Sequence, residues 1–210
     1  MEIIFFIVIL IMSVVVHEVS HGWVAYFLGD GTAKQAGRLT LNPIPHIDPI
    51  GSILVPFIMA LLPLGIIFGW ARPVPYNPYN LRAGKWGPAL VAAAGPLSNI
   101  TVASLCGLIF RLSPALTLTS SAGVLIAWII VLNLALAIFN LIPVAPLDGS
   151  KILFALLPYH LRYIEDFLTR YQLFVILLII FMAGSFIIGP IVGLFELLTG
   201  QSFLALPRLF

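Results

Sequence analysis

The feature that most constrains this chain is a short polar motif, HEVSH at residues 17–21, inside an apolar run from Ile3 to Leu28. Two histidines four residues apart lie on one face of a helix, as two ligands of a zinc ion must. The glutamate beside the first histidine is suited to take a proton from water. Ionisable groups are costly at membrane depth, so the motif predicts a functional site within a membrane helix.

The composition assigns the chain to the integral membrane proteins. Of its 210 residues, 61% are hydrophobic and only 9% are charged, which excludes an ordinary water-soluble domain. Sixteen prolines and 17 glycines exceed the needs of a plain helix bundle and indicate broken helices or re-entrant backbone. The net charge of +2 gives no indication of a nucleic-acid partner. The single cysteine, Cys106, excludes an internal disulfide framework.

Five apolar runs are each long enough to cross a bilayer, at about 3–28, 51–70, 86–110, 121–143 and 172–198. They predict an all-α polytopic membrane protein, a helix bundle. Residues 153–168 are expected to form an amphipathic interfacial helix. The connection after the first run has β character at residues 36–41, bounded by Asn42-Pro43, which predicts a short β-strand or hairpin near the motif.

The run 51–70 differs from the others because its prolines and glycines disfavour a straight spanning helix. A re-entrant hairpin that enters and leaves by one face is the alternative. That arrangement places eight of the ten basic residues on one side of the membrane, with Arg111 opposite. The eight are Lys34, Arg38, Arg72, Arg82, Lys85, Lys151, Arg162 and Arg170. The positive-inside rule favours this distribution and assigns these loops to the cytoplasm.

A catalytic zinc site takes three protein ligands and keeps one position open for water. Outside the motif, the candidate ligands are His46, His160, Asp30, Asp48, Asp148, Glu165, Asp166 and Glu196. Asp148 is the best of these because it follows the carboxyl end of an apolar helix, and Gly149 allows the backbone to turn closely there. The helices 3–28 and 121–143 must then run parallel. Helix 86–110 supplies the one crossing between them, so 51–70 can add none.

These elements resemble the motifs of the site-2 proteases, which are intramembrane zinc metalloproteases. The segment HEVSH matches their HExxH element, and NLIPVAPLDG at residues 140–149 matches their NxxPxxxxDG element. The segment AGPLSN at residues 94–99 matches the glycine-proline element of the helix between them. The resemblance covers about residues 10–155, and the chain looks like a minimal member without PDZ or CBS domains.

The resemblance implies one Zn²⁺ per chain, bound by His17, His21 and Asp148, with Glu18 as the catalytic base. It implies a single membrane-embedded metalloprotease domain over residues 1–210. The catalytic core is expected at about 3–155, and interfacial and transmembrane helices at 156–210. The implied activity is hydrolysis of peptide bonds in or near transmembrane segments, as in regulated intramembrane proteolysis.

The same resemblance implies the partners and the location. The substrate is expected to be a transmembrane protein or a remnant signal peptide in the lipid bilayer, with a regulatory membrane partner possible and no nucleic acid. The location is expected to be a bacterial or archaeal cell membrane, with the active site towards the cytoplasmic side.

Two asparagines and one loop are further candidates. Asn99 and Asn140 are amides in apolar helices, where an unpaired amide is costly. Each is a candidate donor to the substrate backbone or to an oxyanion, and helix–helix hydrogen bonding is the alternative. His46 and Asp48 are candidates for a water path, with turn chemistry beside the neighbouring prolines as the alternative. An extended substrate could also add a strand to residues 37–41.

Two other functions are compatible with the motif. A different membrane HExxH protease would use Glu165 or Glu196 as its third ligand, but neither lies in a recognisable helix motif. A metal-binding or metal-transport protein without protease activity is the non-enzymatic alternative. A transporter should show several ligand clusters or repeat symmetry, whereas this sequence shows one cluster and no repeat.

Overall fold

The computed structural model of the chain describes residues 2–55, 58, 70–182 and 184–207. The α-helices in these residues are α1 (Glu2–Phe27), α2 (Thr32–Gln35), α3 (Gly87–Leu112), α4 (Ser121–Asn140), α5 (Asp148–Leu156), α6 (Arg162–Arg170), α7 (Gln172–Met182) and α8 (Gly184–Thr199). Single turns of 3-10 helix lie at Ile44–His46, Pro78–Asn80, Gly84–Trp86, Tyr159–Leu161 and Phe203–Ala205, and a π-helical turn lies at Pro49–Leu54.

Three of the described helices are long and apolar enough to cross a membrane. They are Ile4–Phe27, Gly84–Leu112 and Ser121–Asn140. This confirms the prediction of a helical membrane protein. Most of the run 51–70 lies outside the described residues, and so does the interior of its predicted hairpin.

Helix α3 is at the centre of the bundle, between α1 and α4, and α8 packs against α4. Ala103 of α3 and Ala127 of α4 are fully buried. Small side chains at such positions allow two membrane helices to approach closely. Ile130 and Leu134 of α4 pack with Phe195 of α8 in the same core. This contact joins α8 to the bundle of α1, α3 and α4.

The directions of the helices follow from two levels of contact. At one level, Ser13 of α1, Asn99 of α3 and Asn133 of α4 are joined by hydrogen bonds. Further along both α1 and α4, the HEVSH motif meets Asp148. Helices α1 and α4 therefore run parallel and α3 runs between them in the opposite direction, as the ligand positions in the sequence predict.

The connection between α1 and α3 begins and ends at the same end of the bundle. The backbone N–H of Arg82, shortly before α3, donates to the carbonyl of Leu28, just after α1. At the edges of the run 51–70, the N–H of Trp70 donates to the carbonyl of Gly51 at 3.0 Å. The two ends of that run are therefore neighbours.

The predicted strand at residues 36–41 was wrong. These described residues form no strand. They follow directly on the short helix α2, and the turn that ends this helix sets the direction of the backbone over residues 36–38. The N–H of Arg38 bonds back to the carbonyl of Ala33, and Gly37 has a φ of +65°, a left-handed conformation that interrupts an extended segment. With no strand formed, residues 37–41 do not provide the sheet edge expected for strand addition.

The predicted interfacial helix over 153–168 is divided in two. Helix α5 ends at Leu156 and α6 begins at Arg162, with Pro158 between them. Proline disfavours helical backbone in the residue before it, so a helix passing through Leu157 is interrupted there.

Candidate metal centre

The structure brings three potential metal donors together at the carboxyl-terminal half of α1. The Nε2 atom of His17 lies 3.1 Å from Oδ2 of Asp148, and Nε2 of His21 lies 3.2 Å from the same oxygen. Two ligands at zinc distances of about 2.0–2.2 Å and a tetrahedral angle lie about 3.3–3.6 Å apart. All three side chains are buried. The two histidine–aspartate separations are therefore close to those of a tetrahedral zinc site, and all three donor atoms lie within 4.8 Å of one another.

The hydrogen bonds of the two imidazoles also fit a cation. Nδ1 of His21 lies 2.7 Å from the carbonyl of Val91, which can only accept, so Nδ1 carries the proton. Nδ1 of His17 lies 2.6 Å from the amide oxygen of Asn99, which likewise accepts. Each Nε2 then presents a lone pair towards the carboxylate of Asp148. The two Nε2 atoms and the carboxylate thus converge with their lone pairs, as the ligands of a metal cation do. The carbonyl of Val91 and the amide oxygen of Asn99 fix the tautomers of the two histidines.

The amide of Asn99 is held in one orientation by α1 and α4. Its NH₂ group donates to the carbonyl of Ser13 at 3.3 Å and to the amide oxygen of Asn133 at 2.8 Å. Asn133 in turn donates to the hydroxyl of Ser13 at 2.9 Å and to the carbonyl of Ile129. Both asparagines are fully buried. The network therefore directs the amide oxygen of Asn99 at His17.

Two glycines provide the space that the centre requires. A Cβ atom on Gly95 of α3 would lie 2.5 Å from Nε2 of His21 and 2.6 Å from Cε1 of His17. A Cβ atom on Gly149 would overlap the carbonyl oxygens of Leu141 and Ile142. Glycine at these positions thus lets α3 pass against the imidazoles and lets the chain turn tightly beside Asp148.

Glu18 lies next to the centre and is bound by the loop between α1 and α3. Its Oε2 atom accepts the backbone N–H of Val74 at 2.9 Å. That loop is held to the bundle by Arg38, a buried side chain whose Nη2 donates to the carbonyl of Arg72 at 2.6 Å. Within the described part of the chain, Oε1 of Glu18 accepts no hydrogen bond. One carboxylate oxygen is thereby fixed and the other is available.

Lys151 is a charged neighbour of the centre that the sequence did not single out. Its Nζ lies 3.6 Å from Oδ1 of Asp148, one helical turn earlier in α5. The ammonium group therefore faces the carboxylate oxygen that does not face the histidines. A basic residue three positions after Asp148 was the available signal, because i and i+3 side chains share a helix face.

Comparison with known proteins identifies the family. The profile of Peptidase family M50 matches residues 113–184. A Bacillus subtilis protein named "Putative zinc metalloprotease YwhC" is 38% identical over 198 residues, covering 90% of this chain and 86% of that protein. The chain belongs to the M50 peptidases, the site-2 proteases. It is a zinc metalloprotease by its family.

More distant relatives carry the name Rip2. The Rip2 protein of Mycolicibacterium smegmatis is 30% identical over 66% of this M50 peptidase and 52% of its own length. The Rip2 protein of Mycobacterium tuberculosis is 31% identical over 72% of this chain and 55% of its own length. The chain spans about half of each of these relatives. No solved structure matches the chain.

The remaining predicted residues of this M50 peptidase have different surroundings. The side-chain amide of Asn99 forms hydrogen bonds with His17, Ser13 and Asn133, which lie on two other helices. Both of its N–H groups are engaged in these contacts, so neither is free to donate to a substrate. Asn140 donates to the carbonyl of Leu136 at 2.9 Å and is half-buried, which leaves it a second N–H.

The two loop candidates of the M50 peptidase stabilise local turns. Nε2 of His46 lies 3.0 Å from the carbonyl of Thr40. Oδ1 of Asp48 accepts from the N–H groups of Ile50 and Gly51 and so caps the π-helical turn. These contacts correspond to the turn-chemistry alternative, and neither side chain belongs to the cluster of His17, His21 and Asp148.

Proposed function

We propose that this M50 peptidase is an intramembrane endopeptidase that cleaves peptide bonds in or near transmembrane segments of other membrane proteins. The observation that carries the proposal is the cluster of His17, His21 and Asp148 on an apolar helix. At 1.5 Å per residue, His17 lies about 15 Å from the carboxyl end of α1 and about 22 Å from its amino end. A site at that depth is within reach of a bond in a transmembrane substrate.

His17, His21 and Asp148 are the proposed zinc ligands. A zinc ion bound there would act as a Lewis acid on the scissile carbonyl and would lower the pKa of its water. The protein's own contribution is orientation, since the Val91 carbonyl and the Asn99 amide fix both imidazoles. Lys151 lies 3.6 Å from Oδ1 of Asp148, while Oδ2 faces the two imidazoles.

Glu18 is the proposed general base. The N–H of Val74 holds Oε2, so Oε1 is the oxygen that takes a proton from the attacking water. The same oxygen then returns the proton to the leaving amine nitrogen. Asn140 is the proposed donor to the substrate backbone or to the developing oxyanion, because one of its two amide N–H groups is not used by Leu136.

We further propose that the run 51–70 is re-entrant. The hydrogen bond between Trp70 and Gly51, and that between Arg82 and Leu28, support a segment that returns to the face it started from. Under the positive-inside rule, that face is the cytoplasmic one. The proposed substrates are membrane-anchored regulators or remnant signal peptides, which would reach the site from the bilayer.

The test uses the full chain reconstituted in liposomes with a single-span model substrate. Glu18→Gln should lower the cleavage rate by about 10²–10⁴-fold, since it removes the proton acceptor but no zinc ligand. Bound zinc, measured by mass spectrometry of the metal, should stay at one per chain. Glu196→Gln, a matched change at the far end of α8, should cleave at the wild-type rate.

Asp148→Asn is the second variant, and it should lose zinc and activity together. Cleavage sites mapped by peptide mass spectrometry should fall in or near the transmembrane segment of the substrate. Full cleavage by Glu18→Gln, or zinc flux across the liposome without any peptide cleavage, would contradict the proposed function.

A further inference from the structure

A cleft between the beginning of α3, helix α5 and the beginning of α6 is lined by none of the three metal donors. Its volume is about 420 Å³. Its floor is apolar and includes Pro88, Phe154 and Leu157. Its polar lining is Lys85, Lys151, Arg162 and Glu165. Three cations against one carboxylate give the cleft a net positive charge, so it suits an anionic ligand with an apolar part.

The cations of the cleft are held in place by aromatic rings. Lys85 Nζ lies 5.1 Å from the ring centre of Trp86, and the guanidinium of Arg162 lies 5.0 Å from that of Tyr159. A ring face attracts a cation and so restricts where the charged group lies.

We propose that this cleft binds the phosphate headgroup of an anionic phospholipid, with an acyl chain along its apolar floor. The cleft is at the beginning of the candidate span Gly84–Leu112, which is the level of the membrane interface. Trp86 is 45% exposed and Tyr159 is 82% exposed there. Exposed aromatic residues at helix ends are typical of headgroup level. Lys and Arg at that level attract anionic lipids.

An anionic lipid fits the cleft better than a peptide segment of a substrate does. With the proposed cytoplasmic side, transmembrane substrates would carry Lys and Arg on the flank that reaches the cleft. Such a flank would be repelled by Lys85, Lys151 and Arg162. The repulsion disfavours a typical substrate segment, whereas a phosphodiester meets complementary charge.

The lipid site adjoins the metal centre through one side chain. Lys151 lines the cleft and also lies 3.6 Å from Oδ1 of Asp148. A phosphate bound in the cleft would share this ammonium group with Asp148. A bound lipid would therefore act on Asp148 through Lys151. Lipid binding itself does not depend on proteolysis.

The test measures lipid adducts on the purified full chain in a neutral detergent by native mass spectrometry. Phosphatidylglycerol should bind more tightly than phosphatidylcholine with the same acyl chains. Lys85→Gln and Arg162→Gln should each weaken phosphatidylglycerol binding about five-fold, since each basic residue near a membrane surface contributes about 1 kcal/mol. Neither should change phosphatidylcholine binding.

Controls separate the cleft from general charge and from the headgroup alone. Arg111→Gln removes the same charge from the opposite end of α3 and should leave phosphatidylglycerol binding unchanged. Glycerol 1-phosphate and inorganic phosphate should compete weakly, because they lack the acyl chains that the floor accommodates. Equal binding of both lipids by the wild-type chain, or an acidic peptide displacing phosphatidylglycerol at lower concentration, would overturn the proposal.

Discussion

At the centre of the bundle, the side-chain amide of Asn99 bridges α1, α3 and α4. Its oxygen accepts a hydrogen bond from Nδ1 of His17 at 2.6 Å, and its NH₂ group donates to Ser13 and Asn133. A fully buried amide that lost these partners would cost about 1–3 kcal/mol for each unsatisfied group. The bonds therefore stabilise the packing of three helices and, at the same time, the tautomer and direction of one proposed zinc ligand.

Replacing Asn99 should weaken the binding of zinc. Asn99→Leu removes the acceptor for Nδ1 of His17, and outer partners of metal-bound histidines are worth about 10–100-fold in metal affinity. Zinc dissociation constants should be measured by competition with a chelator. Asn99→Asp retains an acceptor for Nδ1 of His17 but loses the NH₂ group that donates to Ser13 and Asn133, so it should restore only part of the affinity that Asn99→Leu loses.

Thr101→Val on the same helix is the matched control, because Thr101 is exposed and bonds only to the carbonyl of Leu97. A positioning role for Asn99 is contradicted if Asn99→Leu binds zinc as tightly as the control variant. It is also contradicted if the leucine and aspartate variants lose the same affinity, since a purely structural role would not depend on the acceptor.

The sequence could predict the three donors but not the network behind them. Two histidines four residues apart share a face on any helix, and glycine after Asp148 permits a close turn in any fold. These predictions need only the local sequence. The partner of Asn99 depends on how α1 and α4 are rotated against α3, which is a property of packing. The polar residues Ser13 and Asn133 in apolar helices were the available signal, since such residues need partners in a membrane.

At the scale of elements, the loop that follows α1 depends on Asp30. This fully buried carboxylate accepts from the hydroxyl of Thr32, the side chain of Asn80 and the backbone N–H of Asn77. It therefore joins the beginning of the connection to its end near α3. Burial alone would raise the pKa of Asp30, but these hydrogen bonds together hold it below its usual value.

The lowered pKa gives a pH dependence with a definite sign. The folded carboxylate holds its proton less tightly than the unfolded one, so it stabilises the protein above about pH 4 and loses that contribution as the pH falls further. Thermal unfolding in detergent should show Asp30→Asn to be less stable than the wild type at pH 7, by about 1–3 kcal/mol. The difference should narrow towards pH 3.

Asp166→Asn, at an exposed position of α6, provides the control and should differ little from the wild type at any pH. If the Asp30→Asn difference were the same at pH 3 as at pH 7, ionisation of Asp30 would not be what stabilises the loop.

Element prediction failed where tertiary contacts decide the backbone. Residues 36–41 have β-type side chains, but strand formation needs a partner, and in the structure the segment follows the short helix α2. The turn at Gly37 and the bond from Arg38 to Ala33 set its path. By contrast, the long helices α1, α3 and α4 were predictable because a predominantly apolar run of about twenty residues has few alternatives to a helix in a membrane.

At the scale of the molecule, the proposed ligands come from two distant parts of the chain that must face the same side. His17 and Asp148 are 131 residues apart in sequence. They meet because α1 and α4 are parallel and α3 is the one described crossing between them. In the proposed membrane arrangement the connection from Leu28 to Arg82 makes no net crossing, and the hydrogen bond between those two residues supports this.

This arrangement predicts the accessibility of single cysteines introduced in a Cys106→Ala background. Lys34→Cys and Tyr79→Cys, both at exposed positions of the connection, should react with a membrane-impermeant maleimide from the same side. Arg111→Cys, at the other end of α3, should react from the opposite side. With the proposed cytoplasmic orientation, intact cells should label only Arg111→Cys, and the other two should label after lysis. Labelling of Lys34→Cys and Tyr79→Cys from opposite sides would show that the run 51–70 crosses the membrane, and α1 and α4 could then not be parallel.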